Sequence, residues 1–204
     1  MLNNREFGVG MDSISVYGGI PLQGRVRIQG SKNAVLPILA ATLLTQGESV
    51  IYNCPRISDV FCMQQLLKCL GCTVKMRSDC VIIDAGRVEC GSLPTEAVRG
   101  MRSSLCLLST LLVRNGEIQM EYPGGCVIGA RPIDLHLKAL ETMGAVFWEE
   151  CGMIHGKVPK GFHGARICFP KVSVGATENV ILAAVLAEGT TCIEGAAKEP
   201  EVVA

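Results

Sequence analysis

The feature that most constrains the fold is a pattern that occurs three times along the chain. Apolar runs at residues 36–44, 105–113 and 180–187 each lead to a glycine and then to a short strand-like segment. The glycines are Gly47, Gly116 and Gly189, at intervals of 69 residues (47 to 116) and 73 residues (116 to 189). Repeats of this length are structural units that must stack on one another to bury their apolar surface. Each unit is predicted to contain a buried helix, a glycine that ends it and a strand.

A second helix is predicted after the strand in each unit. The further elements expected from the pattern are helices that open near 56–60 and 131–135 and end at Gly71 and Gly144, and strands at 73–76, 81–84 and 145–148. Residues 199–203 have the composition expected for the opening of the same helix in the third unit. Ser31 and Thr177 are predicted N-caps. We therefore expect an α/β fold of repeated β/α units whose third unit is incomplete.

The pattern also predicts the domain organisation. Residues 1–12 are expected to be an N-terminal extension, and residues 13–30 to be strands that pair with a second domain outside this sequence. Residues 31–204 are expected to form the three-repeat α/β domain, incomplete at its C-terminus. Because an unfinished unit leaves an apolar face uncovered, the sequence is interpreted as part of a longer protein, and self-association through that face is expected.

Composition argues against several classes of function. The formal net charge is +0 and aromatic residues make up 4% of the chain, so a nucleic-acid-binding surface is not expected. The apolar run at 34–44 is too short to cross a bilayer, and the first residues lack the apolar core of a signal peptide. With 11 cysteines and no export signal, the chain is predicted to be a cytoplasmic protein with free thiols.

One cysteine has surroundings that favour chemistry. Cys126 follows two glycines and lies five residues before Arg131, where a helix is predicted to begin at Pro132. A helix N-terminus beside an arginine binds anions and favours the thiolate form of a nearby cysteine. A mobile loop with a reactive thiol and an anion site indicates a phosphorylated substrate. Other cysteines are predicted to lie in the core, and the C-x-x-C pair of Cys69 and Cys72 to be structural. The cysteines expected in the core are Cys62, Cys69, Cys106, Cys168 and Cys192.

Three basic residues occur at predicted helix starts in the repeats. Lys32, Arg102 and Arg131 would surround one anionic ligand if the stacked units bring those helix ends together. The alternative is that each is a solvated surface charge, and the sequence leaves both readings open. The three histidines, His136, His155 and His163, have no metal-ligand spacing, so no metal and no cofactor is expected.

Several of these segments together resemble one known family. Residues 30–34, 101–103, 124–135 and 171–177 are similar to the UDP-N-acetylglucosamine enolpyruvyl transferases, which are 1-carboxyvinyltransferases. The resemblance runs from about Ile14 to the end of the chain. The related 5-enolpyruvylshikimate-3-phosphate synthases share the repeat architecture but lack the cysteine loop. The resemblance implies an inside-out α/β barrel domain, with helices inside and sheets outside, as one of two similar domains.

The resemblance also implies an activity and a set of site residues. The activity is transfer of enolpyruvyl from phosphoenolpyruvate to the 3′-hydroxyl of UDP-N-acetylglucosamine, the first committed step of peptidoglycan synthesis, with the associated roles in cell-wall biogenesis, cell shape and cell division. Cys126 is then the general acid and the target of fosfomycin. The residues implied to bind phosphoenolpyruvate are Lys32, Asn33 and Arg131. Those implied to bind the UDP-sugar are Arg102, Arg131, Pro132, Ile133, Asp134, Leu135, Lys171, Val172, Ser173, Val174 and Gly175.

A second class of function stays open at this point. The chain covers about the first half of such an enzyme, and the family's second domain supplies a carboxylate and further arginines that no residue here replaces. We therefore expect residues 1–204 alone to be inactive, and the alternative function is a non-catalytic module that binds the UDP-sugar or another protein. The expected partners are the two small-molecule substrates, with no nucleic acid and no membrane.

Overall fold

The computed structural model describes residues 15–19, 21, 23–89, 93, 98, 101–122 and 133–203. The helices that we number in this part of the chain are α1 (Lys32–Ala41), α2 (Ser58–Cys69), α3 (Cys106–Asn115), α4 (Asp134–Thr142), α5 (Val174–Ala184) and α6 (Pro200–Val203). The strands are β1 (Glu48–Tyr52), β2 (Thr73–Met76), β3 (Cys80–Asp84), β4 (Glu117–Glu121), β5 (Val146–Glu150), β6 (Met153–Lys157), β7 (Arg166–Cys168) and β8 (Cys192–Glu194). Short 3-10 turns at Thr42–Leu44 and Arg102–Leu105 adjoin α1 and α3.

The three predicted units are confirmed. The first runs α1-β1-α2-β2-β3, the second runs α3-β4-α4-β5-β6, and the third has α5, β8 and α6 in the same order. The first two units each form a three-stranded antiparallel sheet, with spatial orders β1-β3-β2 and β4-β6-β5. In the third unit β8 pairs in parallel with β7. The last strand of each completed unit therefore lies in the middle of its sheet.

The core lies among the helices, and the sheets cover it from outside. α3 is buried at every position from 106 to 112, as expected for a helix that is apolar on all sides. It packs against α1, α5 and β4. β1 and β4 bury one face more than the other, as the alternating burial along each strand indicates. The described residues thus have helices inside and sheets outside, while closure of these layers into a barrel stays a prediction.

An arginine at the end of α3 adds hydrogen bonds between the first and second units. Arg114 Nη2 donates to the carbonyl oxygens of Ala85 at 2.9 Å and Gly86 at 3.2 Å, and Nη1 donates to that of Thr45 at 3.3 Å. These carbonyl groups follow β3 and the 3-10 turn after α1. A planar guanidinium can bind several acceptors at once, so this residue fixes the two units against each other.

The helix starts agree only in part with the sequence prediction. Ser31 caps α1 as expected, with its Oγ accepting from the Ala34 N–H at 3.4 Å. α5 begins four residues earlier than a Thr177 cap predicts and is capped by Ser173, which accepts from the Ala176 N–H at 3.3 Å. The prediction that Thr177 is the N-cap is therefore wrong. Thr177 lies inside the first turn of α5, where its hydroxyl donates to the Ser173 carbonyl oxygen at 2.8 Å.

Three of the predicted helix-ending glycines are confirmed and two are not. Gly71, Gly116 and Gly144 have φ of 89°, 75° and 109°, and each lies one or two residues after the end of α2, α3 or α4. Gly47 lies five residues beyond Thr42, where α1 changes into a 3-10 turn because the Thr42 hydroxyl bonds the Leu39 carbonyl oxygen at 2.7 Å. Gly189, with φ of 93°, lies five residues beyond the end of α5. A helix can thus end on a local side-chain bond before its glycine is reached.

The cysteines divide between core and surface. Cys106 is buried as predicted, and Cys72 is buried too, but Cys69, Cys168 and Cys192 are exposed, so the prediction of core positions for these three is wrong. Cys168 and Cys192 lie on β7 and β8, where their side chains point away from the core because alternate positions of a strand face opposite sides.

The described part of residues 13–30 forms no strand and is almost entirely exposed. Its pairing with a second domain stays a prediction. None of the helices within the described ranges is long and apolar enough to cross a membrane.

Candidate functional site

A cleft of about 770 Å³ lies where helix ends from all three units meet. Its walls come from the first turns of α1 and α5, the start of α3, one side of α4, and α6. The polar side chains that line it are Lys32, Asn33, Asp59, Ser103, Cys106, His136, Ser173, Glu178, Asn179, Glu199 and Glu201. The stacking of repeats therefore brings together residues that are up to 169 positions apart in sequence, as judged by Lys32 and Glu201.

The first two predicted site residues lie in this cleft and are held by carboxylates. Lys32 Nζ forms an ion pair with Asp59 of α2. Asn33 Nδ2 donates to Glu201 Oε1 of α6 at 3.3 Å. The ammonium and amide groups at the start of α1 are thus oriented by partners from two other helices.

A half-buried carboxyl group lies in the same cleft. Glu178 on α5 contacts Cys106, whose Sγ is 3.8 Å from Glu178 Oε2. Burial, followed by the charges of Glu201 and Glu199, raises the pKa of Glu178 to about 7. Burial and the adjacent Glu178 carboxylate raise the pKa of the Cys106 thiol well above its usual range. At neutral pH this part of the cleft therefore holds a carboxyl group near its titration midpoint beside an unreactive thiol.

The first turn of α5 forms another wall of the cleft. Ser173, Val174 and Gly175, all predicted to contact the UDP-sugar, line the cleft. The turn is held by the Ser173 cap and by Thr177, whose Oγ1 accepts from the Ala197 N–H at 3.0 Å. Backbone N–H groups at the start of a helix attract anions, so this wall adds a favourable site to the one offered by Lys32.

Other predicted residues lie away from the lining of this cleft. Lys171 and Val172 are exposed just before α5. Ile133 and Leu135 are buried around the start of α4, and Asp134 between them is exposed. None of these five side chains is among the described residues that line the cleft, and their assignment to the UDP-sugar stays a prediction.

Of four further predicted site residues, one is described in its backbone and three lie outside the described part of the chain. Arg102 opens the 3-10 turn that leads into α3. Cys126, Arg131 and Pro132 lie outside the described residues, so the predicted cysteine loop and its anion site stay predictions. Among the described lining residues Lys32 is the one basic side chain, against four acidic ones.

Sequence reasoning missed much of the cleft. The sequence predicts no role for the four acidic residues of the lining, Asp59, Glu178, Glu199 and Glu201. It also indicates no site role for His136, which lines the wall beside α5. A usable signal was present for Glu178, which is the single charged residue of α5. The partners of Lys32 and Asn33 could not be found this way, because they depend on how α2 and α6 pack on α1.

A smaller cavity of about 290 Å³ lies between α3 and the outer sheet of the second unit. Trp148 and His155 stack there with ring centroids 5.3 Å apart, and Lys157 Nζ lies 5.9 Å from the tryptophan ring. None of the residues predicted to carry chemistry lines this cavity.

Comparison with known proteins identifies the family. The family model described as EPSP synthase (3-phosphoshikimate 1-carboxyvinyltransferase) matches residues 16–204. The chain belongs to the EPSP synthase family. The resemblance of the sequence motifs to the UDP-N-acetylglucosamine enolpyruvyl transferases is confirmed by the relatives described next.

The curated relatives of this EPSP synthase family chain have one name in common. It is 47% identical over 194 residues to the UDP-N-acetylglucosamine 1-carboxyvinyltransferase of Saccharophagus degradans, a match that covers 95% of this chain and 46% of that protein. It is 50% identical over 193 residues to UDP-N-acetylglucosamine 1-carboxyvinyltransferase 1 of Symbiobacterium thermophilum, covering 92% and 44% respectively. The chain thus spans about half the length of the curated relatives it matches.

Solved structures confirm the α/β fold of the family. The enolpyruvyl transferase NikO from Streptomyces tendae superposes with a TM-score of 0.73 at 20% identity, over 89% of this chain and 43% of that one. EPSP synthase from Acinetobacter baumannii gives a TM-score of 0.68 at 17% identity, over 88% and 42%. At these identities the likeness concerns the fold alone.

Proposed function

We propose that the protein transfers enolpyruvyl from phosphoenolpyruvate to the 3′-hydroxyl of UDP-N-acetylglucosamine, the first committed step of peptidoglycan synthesis. The observation that carries the proposal is identity of 45–50% over nearly the whole chain to relatives that bear this activity in their names. The cleft supports it, because it joins an ammonium group, an amide and a helix N-terminus in one space. Two anionic substrates need such groups side by side.

In this proposal the start of α1 and the cysteine loop act on phosphoenolpyruvate. Lys32 and Arg131 bind its charged groups, Asn33 lies at the reacting centre, and Cys126 supplies a proton to the methylene carbon. Asp59 and Glu201 act on Lys32 and Asn33 by fixing their orientation before the substrate arrives. Groups oriented in advance lose little free energy to reorganisation during the reaction.

The balance of the reaction explains why a proton donor is required. Protonation of the methylene carbon makes the neighbouring carbon electrophilic, and the sugar hydroxyl oxygen bonds to it as its own proton is removed. Breaking the bond from that carbon to the phosphate oxygen and removing a methyl proton restores the double bond. Phosphate is released and the enolpyruvyl group stays on the sugar, so the site needs both a proton donor and a proton acceptor near the methylene carbon.

The UDP-sugar is bound on the other side of the cleft. Ser173, Val174 and Gly175 supply helix N-terminal N–H groups for its phosphates, and Arg102 and the stretch 131–135 complete the site together with Lys171 and Val172. The protein is proposed to act in the cytoplasm, to contribute through this step to cell shape and division, and to be a target of fosfomycin. No cofactor or metal has a part in the reaction.

The test is phosphate release by the protein expressed from its complete reading frame, with phosphoenolpyruvate and one of two acceptors. Release with UDP-N-acetylglucosamine and none with shikimate 3-phosphate is expected. Release with shikimate 3-phosphate alone would assign the activity named in the family description instead. Tight binding of UDP-N-acetylglucosamine without any release would favour the non-catalytic module.

Residues 1–204 on their own are the matched control in this assay. We expect them to give no measurable turnover, because the groups that would close over the substrates and orient the sugar hydroxyl come from elsewhere. Orientation of this kind accounts for about 7–11 kcal/mol of barrier lowering in favourable reactions. Steady turnover by residues 1–204 would contradict this part of the proposal.

A further inference from the structure

A row of buried polar side chains crosses the helical core beside the cleft. Ser109 on α3 lies 2.5 Å from Asn179 Oδ1 on α5, and Asn179 Nδ2 lies 3.1 Å from His136 Nδ1 on α4. Ser109 and Asn179 are 0% exposed and His136 is 4% exposed. Buried polar groups cost free energy unless they are hydrogen-bonded, so this row has a definite pattern of donors and acceptors.

That pattern can be deduced from one carbonyl group. Asn179 Nδ2 also lies 3.1 Å from the Gly175 carbonyl oxygen, which can only accept. The amide nitrogen of Asn179 must therefore face Gly175 and His136, and its oxygen must accept from the Ser109 hydroxyl. Because both N–H bonds of the amide are then used, His136 Nδ1 accepts and carries no proton. His136 is thereby a neutral imidazole with its hydrogen on Nε2.

The Nε2 edge of this ring lies against the first turn of α5. A Cβ atom added to Gly175 would be 3.0 Å from His136 Cε1 and 3.5 Å from Nε2. Gly175 thus allows the imidazole to approach the helix backbone closely, on the wall where the sugar nucleotide is proposed to bind. The same Gly175 peptide is held by Asn179 from the other side of the turn.

We propose that Asn179 is a positioning residue for the sugar-nucleotide site. It fixes the Gly175 peptide and keeps His136 in the Nε2–H form, while Ser109 determines the orientation of the Asn179 amide. The first turn of α5 then presents its backbone N–H groups to the oxygen atoms of a phosphate group. The ligand part of this inference rests on the proposed function, whereas the proton position does not.

The proton position is tested by nitrogen NMR of the imidazole rings in residues 1–204. The chain has three histidines, so His155→Gln and His163→Gln variants assign the His136 signals. We expect an unprotonated Nδ1 and a protonated Nε2 at neutral pH. Asn179→Asp removes the donor to Nδ1 and is expected to shift the proton to Nδ1. A protonated Nδ1 in the unsubstituted chain would overturn the inference.

The positioning role is tested by kinetics of the protein expressed from its complete reading frame. Ser109→Ala frees the Asn179 amide to rotate, so the KM for UDP-N-acetylglucosamine should rise about tenfold or more while kcat changes much less. Ser109→Thr keeps the hydroxyl and should restore the KM. Thr110→Val is the matched control, because the Thr110 hydroxyl is equally buried but bonds only carbonyl groups of its own helix, at 3.3 and 3.4 Å.

These results separate the two proposals. A KM that is unchanged in Ser109→Ala, or raised equally in Thr110→Val, would overturn the positioning role even if the enzyme is active. If the unsubstituted protein releases no phosphate with UDP-N-acetylglucosamine, the proposed function fails and the ligand role fails with it. The NMR result still decides the proton position in that case.

Discussion

At the scale of single residues, Glu178 has the most perturbed environment of the cleft carboxyl groups. Its folded-state pKa of about 7 lies above the ordinary value of 4.5. The folded chain therefore binds this proton more tightly than the unfolded chain, and the stability contribution that is present below pH 4.5 is lost as the pH rises to about 7. Above that pH the ionised carboxylate lowers the free energy of unfolding by a constant amount.

Glu178→Gln should remove this destabilisation. We expect the free energy of unfolding to rise by about 1–3 kcal/mol at pH 8, a range reduced from the full shift because the carboxyl group is only partly buried. At pH 4 the variant and the unsubstituted chain should be equal. Urea denaturation at both pH values measures the difference, with Glu141→Gln at an exposed position of α4 as the control. Equal stability at pH 8 would contradict the prediction.

The thiols should differ widely in reactivity. Burial and the adjacent Glu178 raise the pKa of Cys106, and burial raises that of Cys72 to about 11. Both should therefore resist alkylation, while Cys126, with its glycine neighbours and nearby arginine, should react first. Mass mapping after brief treatment with fosfomycin or iodoacetamide tests this order, and Cys126→Ser should abolish the first adduct. First labelling at Cys69 or Cys72 would contradict it.

At the scale of elements, the sequence predicted those whose pattern is strong and missed those whose pattern is weak. The predicted strand at 73–76 agrees with β2 in both bounds, and α3 and Gly116 follow the pattern because an apolar run and its glycine are local signals. β6 and β7 were missed, since one contains a glycine and a histidine and the other has three residues. Such strands form because neighbouring strands and helices cover them.

The candidate site was predictable to a similar degree. Lys32 is predicted from its place at a helix start, and Asn33 and Ser173 to Gly175 are implied by the family resemblance. The carboxylates around them are not predicted, because they meet only when α2, α5 and α6 pack together. A cluster of this kind depends on tertiary packing, and local sequence patterns do not predict which distant side chains will meet.

The start of α1 depends on a close backbone contact. A Cβ atom on Gly30 would lie 2.4 Å from the Asn53 carbonyl oxygen, so Gly30→Ala must displace the chain just before Ser31 and Lys32. We expect a loss of about 1–3 kcal/mol of stability, measured by urea denaturation. Gly47→Ala is the matched control, since nothing lies within 4 Å of its Cβ position, and should stay within about 0.5 kcal/mol. Equal effects of both substitutions would show that the contact is unimportant.

At the scale of the whole molecule, the segment before α1 exposes large apolar side chains. Val16, Tyr17, Val26 and Ile28 are 85%, 92%, 83% and 79% exposed. Surface of this kind promotes association, so residues 1–204 should form oligomers or aggregates.

Replacing Val26 and Ile28 together by Thr should reduce that association. Static light scattering over a range of protein concentrations measures it. Val146→Thr, which removes an apolar side chain from the outer face of β5, should leave the scattering unchanged. A chain that stays monomeric at all concentrations would refute the association prediction.

The cleft takes its walls from all three units, and this couples ligand binding to the cohesion of the fold. Since separation of any unit removes part of the site, a ligand that fills the cleft binds only the fully assembled arrangement. Mass action then adds its free energy to that of the assembly, about 2.7 kcal/mol when the free ligand is at 100 times its Kd. A bound ligand should therefore slow hydrogen exchange in helix segments that do not line the cleft, such as the C-terminal end of α3. Local unfolding of these segments also dismantles the site.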